Sequence, residues 1–125
     1  MEFDRLLAVR AVDFVQPSPA KMGGVTELCK VFPTAAVHNV PVIPHSFYDG
    51  PGVLAAIQAT AAFGTVDSMI EWRYLDLEAH IFRDALNPER GRIKVPQGPV
   101  LGIDPDPDVI RAHLRVEERN NAPRR

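Results

Sequence analysis

The chain has 125 residues, 46% of them hydrophobic, with 14 Lys and Arg against 16 Asp and Glu for a formal charge of −2. That length suits one domain with its own core, and the near-neutral balance offers no surface for a polyanion, which argues against nucleic-acid binding. The single cysteine, Cys29, excludes a disulfide framework and a multi-cysteine metal site. No apolar run approaches the roughly 20 residues of a membrane helix, and the N-terminal stretch carries acidic residues without an apolar signal core, so a soluble, cytoplasmic domain is expected.

In chain order, residues 4–10 read as a short helix. Val12-Asp13-Phe14-Val15 reads as a strand, stopped by Pro17 and Pro19. Gly23-Gly24 opens a helix over residues 25–38, in which Val25, Leu28, Cys29 and Phe32 share one face and Cys29 is expected in the core. Pro33 predicts either a kink or the start of a second turn. Val40-Pro41-Val42-Ile43-Pro44 is a second strand, and Asp49-Gly50-Pro51-Gly52 is a turn. An alanine-rich helix follows over 53–63 with Gly64 as its stop, then a third strand over 68–72. Residues 76–86 read as a further helix with Leu77, Ile81 and Ala85 inward. The stretch 92–99 looks extended, and a last helix is predicted from Pro107 to about residue 116, capped by Asp106. Residues 117–125 are polar and expected to fray.

Three strands separated by helices predict a parallel α/β arrangement, and their apolar composition agrees, because parallel strands are buried on both faces. Ser18, His45 and Glu71 follow the three strands at spacings of 27 and 26 residues. Ligands of such folds bind at the carboxyl ends of the strands, and neighbouring strands lie about 4.8 Å apart, so the three side chains are candidates for one small site. Histidine is the natural proton carrier near neutral pH, and a glutamic acid can hydrogen-bond a substrate oxygen. Against this stands a structural reading in which His45 caps a turn and Glu71 pairs with Arg73 or a neighbouring loop. A Ser18–His45–Glu71 triad lacks the strained elbow that a serine nucleophile requires.

The other polar features have plainer readings. Gly23-Gly24 lacks the remaining residues of a phosphate loop and reads as a tight turn. The Asp104, Asp106, Asp108 alternation lacks the glycine and the closing glutamate of a calcium loop. His38, His80 and His113 stand alone and are expected to be solvated.

At these residues the sequence resembles a known family. Val12-Asp13-Phe14-Val15-Gln16-Pro17 with Lys21-Met22-Gly23-Gly24-Val25-Thr26-Glu27 resembles the sixth barrel strand and following helix of the mandelate racemase/muconate lactonizing group of the enolase superfamily. Val42-Ile43-Pro44-His45-Ser46 is similar to the seventh strand, and Ile70-Glu71-Trp72 to the eighth. The stretch from Val95 to Ile103 is similar to the segment that returns to the capping domain. The resemblance runs from residue 11 to about residue 116.

It implies an α/β fold forming the C-terminal part of a TIM-type barrel, about three parallel strands with helices, plus a C-terminal extension. Residues 1–75 would be the barrel portion, 76–116 the extension and 117–125 the tail. The implied chemistry is proton abstraction α to a carboxylate, with the enediolate stabilised on Mg²⁺, in a racemase or acid-sugar dehydratase. His45 would be the general acid/base and Glu71 the hydrogen-bond donor to the substrate carboxylate. Ser18 and Lys21 would be substrate-binding, and Ser18 stands where the group carries an aspartate that orients the histidine. Asp49 is a conceivable substitute for that aspartate. The family's metal-binding carboxylates sit on earlier strands, and a barrel needs about 250 residues. The implied partners are therefore a small carboxylate or acid-sugar substrate and either a chain supplying the rest of the barrel or a second copy. No nucleic acid or membrane partner is expected, and the chain alone is expected to be inactive. The rival expectation is a non-catalytic remnant or self-associating module.

Overall fold

The computed structural model describes residues 2–73 and 76–114. The expected tail over 117–125 and the last residues of the expected final helix lie outside the described residues. The described residues form four α-helices: α1 (Glu2–Ala8), α2 (Val25–Val37), α3 (Pro51–Phe63) and α4 (Pro107–His113). None of the described helices is long and apolar enough to cross a membrane.

The first two extended segments run parallel. Val15 donates its N–H to the Pro41 carbonyl (3.1 Å) and accepts from Ile43 (2.9 Å), and His45 donates to Pro17 (3.0 Å). Glu71 then donates to Pro44 (3.0 Å), which brings the third segment beside the second. Each rung of a parallel ladder needs two such bonds. The rung at Pro17 lacks the N–H that would reach Ile43, and the rung at Pro44 lacks the one that would reach Met69, because proline has no backbone donor. The described residues therefore carry a single parallel bridge, Val15 with Val42, in place of the three regular strands expected. Ser46 adds one link by donating its hydroxyl to the Glu71 carbonyl at 2.6 Å.

Helices α2 and α3 pack against each other, and α1 against α2. Leu28, Val31, Phe32 and Ala35 of α2 are buried, while Pro33 sits on the exposed face. There the carbonyl that Pro33 leaves unbonded can reach water, so the helix runs through it without a second start. Cys29 is only partly buried, packed beside Leu28, Phe32 and Ala59. Helix α3 begins two residues earlier than expected, with Pro51 in its first turn. It buries Val53, Leu54, Ala55, Ala56, Ile57 and Ala59. Burying a side chain such as Leu54 contributes about 1.5–3 kcal/mol. Gly64 ends it in an extended conformation, its N–H on the Thr60 carbonyl, and not in the left-handed form expected of a glycine stop.

Residues 76–86 do not form the expected helix; only a single 3₁₀ turn, Arg83–Leu86, is present. In an α-helix the Ile81 carbonyl would accept from Ala85. Here it accepts the N–H of Asp106 at 2.6 Å, and Ala85 bonds Phe82 instead. Phe82 and Leu86 become the buried residues, set against Val53, Leu54 and Ile57, while Ala85 is exposed. The tether also places α4. Asp106 caps it by accepting from the N–H groups of Asp108 and Val109, as expected, and is paired with Arg83. That guanidinium, with the two N–H groups, holds the Asp106 carboxyl down at about 2. The three-aspartate segment is thus a helix start.

The extended stretch after residue 92 is fastened to α3 by Gln58, whose amide donates to the carbonyls of Pro96 (2.8 Å) and Leu101 (3.2 Å). The turn it crosses closes through Gly98 and Gly102. Gly102 has φ +93°, and a Cβ there would stand 2.4 Å from the Pro96 oxygen, so no other residue fits.

Candidate functional site

The backbone bonds that join the three extended segments bring their carboxyl ends side by side. The turn after the first carries Ser18 and Lys21, and it is closed by Lys21 and Met22 donating to the Ser18 carbonyl and Gly24 to Pro19. Gly23-Gly24 therefore serves as the turn into α2, and Gly24 is the residue before its first turn. Ser18 is buried, and Lys21 is exposed.

His45 and Glu71 are brought together. His45 Nε2 lies 3.6 Å from Glu71 Oε2. Both side chains keep part of their surface open, 25% and 34% respectively, so a small molecule can reach them. His45 Nδ1 and Glu71 Oε2 are buried atoms with no hydrogen-bond partner among the described residues. Leaving such groups unpaired is costly, and in native structures it marks strain, chemistry or an absent ligand. The imidazole is flanked by Phe47, edge-on at 4.6 Å between ring centres, and by Tyr48, tilted at 6.2 Å.

Ser18 does not join this pair. Its hydroxyl lies 3.0 Å from the Tyr48 hydroxyl, so the Ser18–His45–Glu71 triad is not formed. Asp49 does not stand in for the aspartate that orients the histidine. It is committed to Arg73 (3.4 Å) and lies 3.5 Å from His80 Nδ1. His80 is accordingly half-buried against a carboxylate and not solvated. Arg73 also donates to Asn87 and stacks over the Trp72 ring at 4.8 Å. Glu71 is not among these partners, so the expected alternative of a Glu71–Arg73 pair is not formed among the described residues. His38 and His113 are exposed, as expected.

Tyr48 and Phe47 were not singled out as site components by sequence reasoning, and Asp49 was weighed only as a partner for His45, not for Arg73 and His80. The one signal available was the aromatic pair directly after His45-Ser46. The partners of Tyr48 and Asp49 lie 24 to 31 positions away in the chain, beyond any local pattern.

Chemically, the edge offers an imidazole that can take or give a proton and a carboxyl group that donates when protonated and accepts when ionised. It does not offer a metal site. Among the described residues no three His, Cys, Asp or Glu side chains gather to hold an ion. Asp106 is taken up by its cap and Arg83, and Asp49 faces a guanidinium. The magnesium implied by the resemblance does not fit these residues, and no step below runs through it.

Comparison with known proteins adds the wider setting. A sequence model described as enolase C-terminal domain-like matches residues 1–109. The arabinonate dehydratase of Saccharolobus solfataricus is 32% identical over 101 residues, covering 81% of this chain and 27% of that protein. The D-galactarolactone cycloisomerase of Agrobacterium fabrum is 28% identical over 113 residues, covering 83% and 30%. The crystal structure of the 3,6-anhydro-D-galactonate cycloisomerase from Zobellia galactanivorans superposes with a TM-score of 0.72 at 28% identity, over 91% of this chain and 32% of that one. The chain thus spans about a third or less of the proteins it matches.

Proposed function

The chain belongs to the enolase C-terminal domain-like family, and from that premise we propose that it is the C-terminal portion of a mandelate-racemase-like acid-sugar enzyme. The fold is of the α/β barrel type. In the proposal, residues 1–75 supply the last three strand units of the barrel. Residues 76–116 form the extension that returns toward a capping domain. The reaction is removal of the proton α to a carboxylate, leading to dehydration or racemisation. The observation that carries this is His45 Nε2 facing Glu71 Oε2 at 3.6 Å across adjacent strand ends, with Glu71 Oε2 and His45 Nδ1 otherwise unpartnered.

His45 is then the group that takes or returns the proton. Phe47 lies edge-on to its ring and Tyr48 lies tilted beside it. Glu71, protonated, donates to an oxygen of the substrate carboxylate, where negative charge grows as the α-proton leaves. Ser18 and Lys21 bind the substrate from the end of the first segment. The metal that would share the enediolate charge would be held by residues beyond this chain.

That division of labour has a direct consequence. The purified 125-residue chain, supplied with Mg²⁺ and an aldonic acid, is expected to show no turnover. Activity is expected when a polypeptide carrying the rest of the barrel is added. Turnover by the chain alone overturns the proposal.

A second reading rests on a separate observation. The first extended segment bonds its neighbour on one side only through Val15 and Pro17, and Phe14 beside them is 50% exposed. Such an edge favours association of the chain with itself. Light scattering that finds stable oligomers without complementation favours this reading.

A further inference from the structure

Tyr48 has no place in the chemistry described so far, yet its position is closely specified. Its ring lies over the start of α3, where Gly52 has no side chain. A Cβ at position 52 would stand 2.5 Å from Tyr48 Cε2 and 3.3 Å from its hydroxyl oxygen. Ser18, itself 8% exposed, meets that hydroxyl at 3.0 Å. The phenol is therefore directed along the carboxyl edge from the end of the second segment to the end of the first, beside the His45 ring. The edge then carries two polar pairs in a row: Ser18 with Tyr48, and His45 with Glu71.

The two pairs have different chemistry. The second can transfer protons and carry charge. The first is neutral. Two hydroxyls sharing one hydrogen bond keep one O–H free to donate and several lone pairs free to accept. A pair that donates and accepts at one point matches an alcohol, which does the same. It matches a carboxylate poorly, since a carboxylate only accepts.

We propose that the Ser18–Tyr48 pair is a subsite for a substrate hydroxyl, which makes Tyr48 a specificity-determining residue and selects polyhydroxylated acids over plain alkanoic acids. The inference rests on the proton-transfer reading of His45 and Glu71, since it takes the substrate carboxylate to lie there. Gly52 is the positioning residue, because its missing side chain leaves room for the phenol to reach Ser18.

The test is an NMR titration of the isotope-labelled 125-residue chain with arabinonate and with pentanoate, the same carbon chain without hydroxyls. Both acids are expected to perturb His45 and Glu71, and arabinonate is expected to bind more tightly. Losing one such hydrogen bond at a partly open site weakens binding by about two- to tenfold. Tyr48→Phe removes only the hydroxyl oxygen, and Ser18→Ala removes its partner. Each is expected to cost arabinonate that factor and to leave pentanoate unchanged. Equal binding of the two acids to the unaltered chain, or an arabinonate preference that survives in both variants, overturns the subsite. If His45 and Glu71 respond while that preference is missing or survives in both variants, the proton-transfer reading stands alone. If neither acid perturbs His45 or Glu71, both readings fall.

Discussion

Replacing His45 by Asn is expected to slow exchange of the α-proton of arabinonate by roughly 10²–10⁴-fold, the usual contribution of a positioned acid/base. The measurement is deuterium incorporation in D₂O by the chain joined with a polypeptide that completes the barrel. Asparagine keeps much of the shape and can hydrogen-bond, but it cannot carry the proton. The effect should fall on the rate and spare substrate affinity. Glu71→Gln separates two roles for the carboxyl group. If Glu71 acts by donating to the substrate, the amide preserves most of the rate. If it acts as an anion beside an imidazolium, the rate falls nearly as far as with His45→Asn. The 3.6 Å separation alone permits both roles.

The second large effect is on stability. Arg73→Ala is expected to destabilise the chain by about 3 kcal/mol, the lower end of the range for breaking a buried pair from one side. The side chains of Arg73 and Asp49 are only 10% and 12% exposed. Removing the guanidinium leaves Asp49 with His80 alone, and it also takes a donor from the Asn87 side-chain oxygen and uncovers the Trp72 ring. Arg73 follows Glu71 by two residues, and Asp49 stands just before α3. The pair therefore ties the end of the third segment to the helix with more buried apolar residues than any other described helix. A lower urea midpoint reports the loss. Asp49→Asn in the Arg73→Ala background should recover part of it, since the uncompensated charge is then gone.

The helices could be read from the sequence where local chemistry decides them. The apolar face of α2, the proline start of α3 and the Asp106 cap of α4 all follow from residues within one or two turns. The spacing of Ser18, His45 and Glu71 located the carboxyl edge. Two features were hidden because they depend on partners far along the chain. The apolar runs around residues 15, 42 and 70 suggested regular strands, but Pro17 and Pro44 remove one bond from each of two rungs. The run over 76–86 has a helical pattern, yet its Ile81 carbonyl is taken by Asp106, 25 positions later. The site shows the same limit. That His45 and Glu71 lie side by side follows from their positions after the extended segments, whereas Tyr48 on Ser18 and Asp49 on Arg73 require the folded chain. The residue expected to neighbour His45, Ser18, is turned to Tyr48 because Gly52 lets the phenol in.

The most direct measurement of whether the strand ends form an acid-binding site is the rate at which diethylpyrocarbonate modifies each histidine, resolved by peptide mass spectrometry. His45 is partly open and central to the proposed site, while His38 and His113 are exposed at the C-terminal ends of α2 and α4 and are no part of it. The account predicts that arabinonate slows modification of His45 in a saturable way and leaves His38 and His113 unchanged. Modification of His45 that is indifferent to arabinonate, or slowed equally at all the histidines, contradicts it.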